Sequence, residues 1–146
     1  MTPVVYANNW MWNVDAAVGK GAPNSNQEDV SYIQWYYWLA ARNAETPPER
    51  KAIYINVEIS GKCTGLDSDP LVKAIIAHQT HLQHPIIDGK ISVASVGGKV
   101  ATSAFFVYRI GARLCRMNKA LWPRLDRIDT CPLKVAQASL KALPDL

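Results

Sequence analysis

Val18-Gly-Lys-Gly-Ala-Pro-Asn-Ser-Asn-Gln-Glu-Asp-Val-Ser-Tyr-Ile-Gln34 is answered downstream by Asp69-Pro-Leu-Val-Lys-Ala-Ile-Ile-Ala-His-Gln79 and by Asp88-Gly-Lys-Ile91. Each of the first two stretches opens a helix. Ser25 with Glu28, or Asn26 with Asp29, has the spacing of an N-cap and its reciprocal partner, and the acidic residues suit the positive end of the helix dipole. Asp69-Pro70 places a capping carboxylate before a proline whose missing N–H costs nothing in the first turn. The first helix should start near Asn26 and run to about Arg42. The second should turn Leu71, Ile75, His78 and Leu82 inward and stop before Pro85. Each carries an apolar-Gln or His-Gln step, and an Asp-Gly turn follows the second.

The first helix is apolar nearly all round. Val30, Ile33, Tyr37 and Ala41 form the expected inward stripe, while Tyr32, Trp35 and Trp38 form another on a different face. Something must cover that second stripe: the chain's own N-terminal arm or C-terminal extension, or a glycan or protein partner stacking on Trp35 and Trp38.

Outward from this pair the reading is coarser. Thr2 to Trp12 is rich in Val, Tyr and Trp and reads as an extended arm or short strand, broken by Gly19, Gly21 and Pro23. Asn43 to Arg50 reads as a loop. Ile53, Ile55, Val57 and Ile59 alternate with Tyr54, Asn56 and Glu58, a strand pattern whose partner would be Lys90 to Val96 or the arm. Thr102 to Trp122 is the longest helical pattern, offering Phe105, Tyr108, Ala112, Cys115 and Leu121 or Trp122 to the core, with Pro123 ending it. Pro132 to Leu143 reads as a short helix with Leu133, Ala136, Leu140 and Leu143 on one side.

Composition sets the limits. The 146 residues are 49% hydrophobic and 19% charged, enough for one core and unlike a disordered chain. No stretch approaches the roughly 20 apolar residues of a membrane helix, and Met1 to Trp12 lacks an export signal's basic start and apolar middle. The net charge of +4 is lopsided: 7 Lys/Arg against 9 Asp/Glu up to Gly98, then 9 against 3. In that basic third Arg109, Arg113 and Arg116 stand at i, i+4 and i+7, a helical stripe able to meet phosphates or an anionic polymer, or simply a solvated face. Cys63, Cys115 and Cys131 are odd in number and show no zinc spacing, so reduced, partly buried thiols are expected, with a Cys115 to Cys131 bridge as the oxidising alternative.

Taken together, the residues from Val18 onward resemble the peptidoglycan-binding-like domain, in the version found beside contractile-injection and type VI secretion genes. Its first-helix pattern is similar to Val18, Gly19, Gly21, Asn24, Asp29, Val30, Ile33 and Gln34. Its second matches Gly61, Cys63, Ala74, Ile75, His78 and Gln79, and its closing turn matches Asp88, Gly89 and Ile91. The match covers roughly 18–122. The family usually has Phe at the place of His78 and polar residues at those of Trp35 and Trp38, which points to a docking role for the aromatic face.

The resemblance implies a mainly α fold: a three-helix peptidoglycan-binding-like bundle with a small two- or three-stranded β element and a C-terminal helical extension. All of 1–146 would be one domain, with 18–122 as core, 1–17 as arm and 123–146 as extension. It implies a non-catalytic cell-wall binding module linked to type VI secretion or envelope targeting. Ligand or partner contacts would come from Tyr32, Trp35, Trp38 and Gln79, with peptidoglycan or a secretion-system protein as partner, and no nucleic acid, cofactor or metal. The alternatives are a protein-interaction adaptor using the aromatic face, and a small wall amidase assembled from Cys63, His78 and Asp69. His78, His81 and His84 are badly spread for a metal. Localisation would be cytoplasmic before a signal-less export, with a periplasmic or extracellular site of action.

Overall fold

A sixteen-residue helix lies at the centre of the packing, in contact with three other helices. The computed structural model describes residues 1–6, 9–94 and 106–143. Its strands are β1 (Thr2–Tyr6), β2 (Asn9–Asn13), β3 (Val18–Gly19) and β4 (Lys90–Ile91). Its helices are α1 (Gln27–Arg42), α2 (Pro48–Tyr54), α3 (Pro70–His81), α4 (Phe106–Met117) and α5 (Leu133–Ala142), with a 3-10 turn at Leu125–Arg127 before α5. The fold is mainly α with a small β element. No helix among the described residues is long and apolar enough to cross a membrane.

α1 begins where its caps require. The Asn26 side chain accepts from the Asp29 N–H at 3.0 Å, but Asp29 does not return the bond. Its carboxylate is buried and accepts from the backbone N–H groups of Asp15 (2.8 Å) and Ala16 (3.0 Å), with the N-terminal ammonium 3.0 Å away. Asp29 therefore ties the segment entering α1 to the helix start. α3 begins at Pro70, capped by Asp69, which accepts from the Leu71 N–H at 2.9 Å. Leu71, Ile75 and His78 are buried and Leu82 packs against the core, as their spacing requires.

α1 is covered along most of its length and circumference. α2, α4 and α5 pack around it, and α2 also packs on α3. β1 and β2 form an antiparallel hairpin pairing Thr2 with Asn13 through Tyr6 with Asn9, and β2 lies against α4. Three indoles fix these layers. Trp12 donates to the Pro123 carbonyl at 3.0 Å, Trp35 to the Thr130 hydroxyl at 3.2 Å, and Trp122 to the Trp10 carbonyl at 2.8 Å. Burial of Trp12, Tyr32, Trp35, Tyr37 and Tyr54 makes the core unusually aromatic, and such side chains carry large buried areas with a polar tip that needs a partner.

Several expectations are corrected. The strand expected over Ile53 to Ile59 is absent: Pro48–Tyr54 is helix and a turn follows, because Pro48 fits the first helical position after extended Pro47. Tyr54 and Val57, three apart, are buried while Ile55 is 53% exposed, so the alternation of isoleucines does not match the burial. The strand at Lys90–Ile91 is two residues long and pairs with Val18–Gly19, so Gly19 lies in a short strand of a second sheet, separate from the arm that ends at Asn13. The N-terminal arm pairs with itself. α4 stops at Met117, five residues before Trp122, and the successive turns that follow carry the chain to Pro123. Phe105 and the residues before it back to Thr102 lie outside the described residues. Of the predicted side of α5 only Leu143, its C-cap, is buried; within the helix Val135 and Ser139 turn inward, while Leu133 is 72% exposed and Leu140 is exposed as well.

Candidate functional site

Two glutamines each hold one turn. Gln34 Oε1 accepts from the N–H groups of Ser60 and Gly61, both at 2.9 Å, and its Nε2 donates to the Lys62 carbonyl (2.9 Å) and to Ser60 Oγ (3.2 Å). Gln79 Oε1 accepts from Asp88 (3.1 Å) and Gly89 (2.9 Å), and its Nε2 donates to the Lys90 carbonyl and to Asp88 Oδ1, both at 3.2 Å. Ser60 Oγ and Asp88 Oδ1 then accept from Lys62 and Lys90 in the same relative position. Gly61 (φ 73°) and Gly89 (φ 70°) occupy the left-handed conformation at the same step, where a side chain would be strained. The two halves thus repeat one device: a carboxamide uses both donors and both lone pairs to fix a three-residue turn.

That device decides the standing of Gln79. Its amide is fully engaged and the residue is buried, so it positions a turn and offers no atom to a ligand. Tyr32 and Trp35 are likewise wholly buried, Tyr32 with its hydroxyl beside Gly111 of α4 and Trp35 bonded to Thr130 of the C-terminal segment. Of the predicted aromatic face only Trp38 stays partly open, with the Arg42 guanidinium 3.8 Å from its ring centroid and also donating to its carbonyl at 2.9 Å. The structure does not bring these four residues together into a surface.

It opens a cavity elsewhere. A space of about 640 Å³ lies among α1, α2, α3, α4 and the 43–46 loop. Its aromatic floor is Tyr36, Tyr54 and His78; Arg50 enters from α2, and Arg109, Arg113 and Arg116 from α4. The stripe read from the sequence is therefore one wall of a concavity. Arg113 pairs with Glu45 at 3.0 Å, on a carboxylate side chain that is 76% exposed, while Arg50, Arg109 and Arg116 make no ion pair among the described residues.

The floor is neutral. His78 Nδ1 lies 3.1 Å from the Tyr37 hydroxyl; the ring stacks on Tyr36 at 5.4 Å and meets Phe106 edge-on at 4.8 Å. Burial, reinforced by Arg50, His81, Arg113 and Arg109, pushes its pKa down to about 3, so it stays uncharged at neutral pH. Burial raises the Tyr36 hydroxyl, partly opposed by Arg113, Arg50 and Arg116, which places those three guanidiniums around it. The Tyr54 hydroxyl is buried, on a residue 2% exposed, and makes no hydrogen bond of good geometry. Burial raises its pKa while the adjacent Arg50 pulls it down. Arg50 can only donate, so the Tyr54 proton lacks an acceptor.

The remaining candidate chemistry does not converge. All three cysteines are free thiols. Burial pushes Cys63 up to about 11, with the Asp69 carboxylate adding to the rise, and Cys131 up to about 12. A thiol held protonated at neutral pH is the opposite of an activated nucleophile. His78 and His81 both line the arginine cavity, whereas His84 lies outside it, 2.9 Å from the Ile86 carbonyl.

Sequence reasoning found the α4 arginines but missed Arg50 and Tyr54, because the segment carrying them reads as loop and strand. Comparisons with protein-family models, with curated proteins and with solved structures returned no match.

Proposed function

We propose that this chain is a non-catalytic binding module on a peptidoglycan-binding-like, three-helix scaffold, used in cell-envelope or type VI secretion biology, with the arginine-lined cavity as its ligand site. One observation carries the reading. The resemblance rests on repeated helix-Gln and Asp-Gly elements, and in the fold they are the paired carboxamide clamps of Gln34 and Gln79, bond for bond alike. A scaffold built from two rigid turn clamps suits presentation of a fixed surface, since preorganised elements lose less entropy on binding.

The cavity supplies what the aromatic face does not. The wall polymer carries carboxylates and other anionic groups, and a concave surface of one charge sign concentrates such ligands. Docking through Tyr32 and Trp35 would require α4 and the C-terminal segment to leave α1. A Cys63 amidase would require a thiol that ionises near neutral pH.

Sedimentation with purified sacculi tests the proposal. The protein is expected in the pellet at low salt and in the supernatant when Arg109 and Arg116 are both replaced by Met. Wild-type protein that stays wholly in the supernatant at low salt removes wall binding.

A further inference from the structure

The electrostatics of the cavity are more specific than attraction to any anion. Four guanidiniums enter it, and the nearest carboxylate, Glu45, neutralises one. A monocarboxylate would leave two positive charges unmatched, whereas a phosphate monoester brings close to two negative charges and three strong acceptor oxygens. Arginines entering from both α2 and α4 present planar donor forks from two sides, the geometry suited to phosphate oxygens. Tyr54 lines the same space, and its buried hydroxyl is a donor with no acceptor of its own.

Size and lining describe the remainder of the ligand. About 640 Å³ falls within the range of pockets for small organic molecules and exceeds what a lone ion fills. Tyr36 and the neutral His78 ring, stacked on one another, offer a flat, uncharged floor beneath the guanidiniums. We infer that the cavity between α1, α2, α3 and α4 is a site for a phosphate monoester carried on a small organic body, its phosphoryl group held by Arg50, Arg109, Arg116 and the Tyr54 hydroxyl. The inference rests on the cavity being the ligand site; it does not require that the ligand be part of a cell wall.

The probe is phenyl phosphate, with benzoate and inorganic phosphate for comparison, titrated calorimetrically into the intact chain at low salt. Phenyl phosphate is expected to bind at least tenfold more tightly than benzoate and more tightly than inorganic phosphate. Arg109→Met with Arg116→Met should weaken it at least tenfold, and Tyr54→Phe, which keeps the ring and removes only the donor, about threefold or more. Circular dichroism of each variant confirms that the fold is kept. Benzoate binding as tightly as phenyl phosphate, or no binding of phenyl phosphate, overturns the inference, as does affinity unchanged in a folded double-arginine variant. Phenyl phosphate binding by a protein that ignores sacculi supports the site and removes only the wall reading. Sacculus binding without phenyl phosphate binding overturns the site and leaves the wall reading standing.

Discussion

Replacing His78 by Phe should make the protein less sensitive to acid. In the folded chain His78 is buried and neutral, with its pKa pushed down to about 3 by burial and by Arg50, His81, Arg113 and Arg109. In the unfolded chain it protonates near 6.5. Between those values the unfolded state binds a proton that the folded state refuses, so stability present above pH 6.5 is lost as pH falls towards 3, at about 1.4 kcal/mol per pH unit. Acidification from pH 6.5, where the unfolded imidazole is already half protonated, to 4.5 should therefore cost the wild type about 2.3 kcal/mol through this one group. His78→Phe removes that cost but leaves the buried Tyr37 hydroxyl without its partner, a loss of about 1–3 kcal/mol at neutral pH. The variant should thus be the weaker protein at pH 7 and match or surpass the wild type by pH 4.5. Asp15, whose carboxyl is held below its ordinary value despite burial, and Asp29, raised by burial, titrate in both proteins and cancel in the comparison. Urea denaturation at both pH values measures the difference of differences. Parallel pH dependence in the two proteins would refute the assignment of His78 as a neutral floor residue.

Three further outcomes are expected. Gln34→Leu and Gln79→Leu each strip a buried turn of its acceptor and should destabilise by about 3 kcal/mol, alike to within about 1 kcal/mol if the clamps are equivalent; guanidinium denaturation reads both. Trp35→Ala should cost about 3–5 kcal/mol in the same assay while Trp38→Gln stays below about 1 kcal/mol, because the first ring is sealed and the second is half-open. Cys63 should react slowly with iodoacetamide at pH 7.5 and markedly faster as pH rises through 10 and 11, followed by mass spectrometry; a rate saturating near neutrality would contradict its raised pKa.

What the sequence disclosed was local. The starts of α1 and α3 depend on a cap and a proline within a few residues, and both appear where those signals place them. The stretch around Ile53 was misread because its alternation satisfies a strand period, while a seven-residue helix offers little helical period to set against it; packing on α1 and α3 decides the case. Burial of Tyr32 and Trp35 depends on segments about 80 and about 95 residues further along, and periodicity carries no information on which distant piece of chain will lie there. The same limit explains the site. Arg109, Arg113 and Arg116 share one helix and were visible as a stripe, but the concavity exists only because α2 delivers Arg50 and Tyr54 to face it.

The three indole hydrogen bonds have an optical consequence. Of the five tryptophans, Trp10, Trp12, Trp35 and Trp122 all sit where the C-terminal segment is fastened to the N-terminal ribbon and to α1. Intrinsic fluorescence of this protein therefore watches a zipper and not the whole body. A protease nick near residues 118–124 that lets the zipper open would redden the emission while the α2–α3 pair keeps its helicity, so emission and ellipticity recorded together would separate unfastening from collapse.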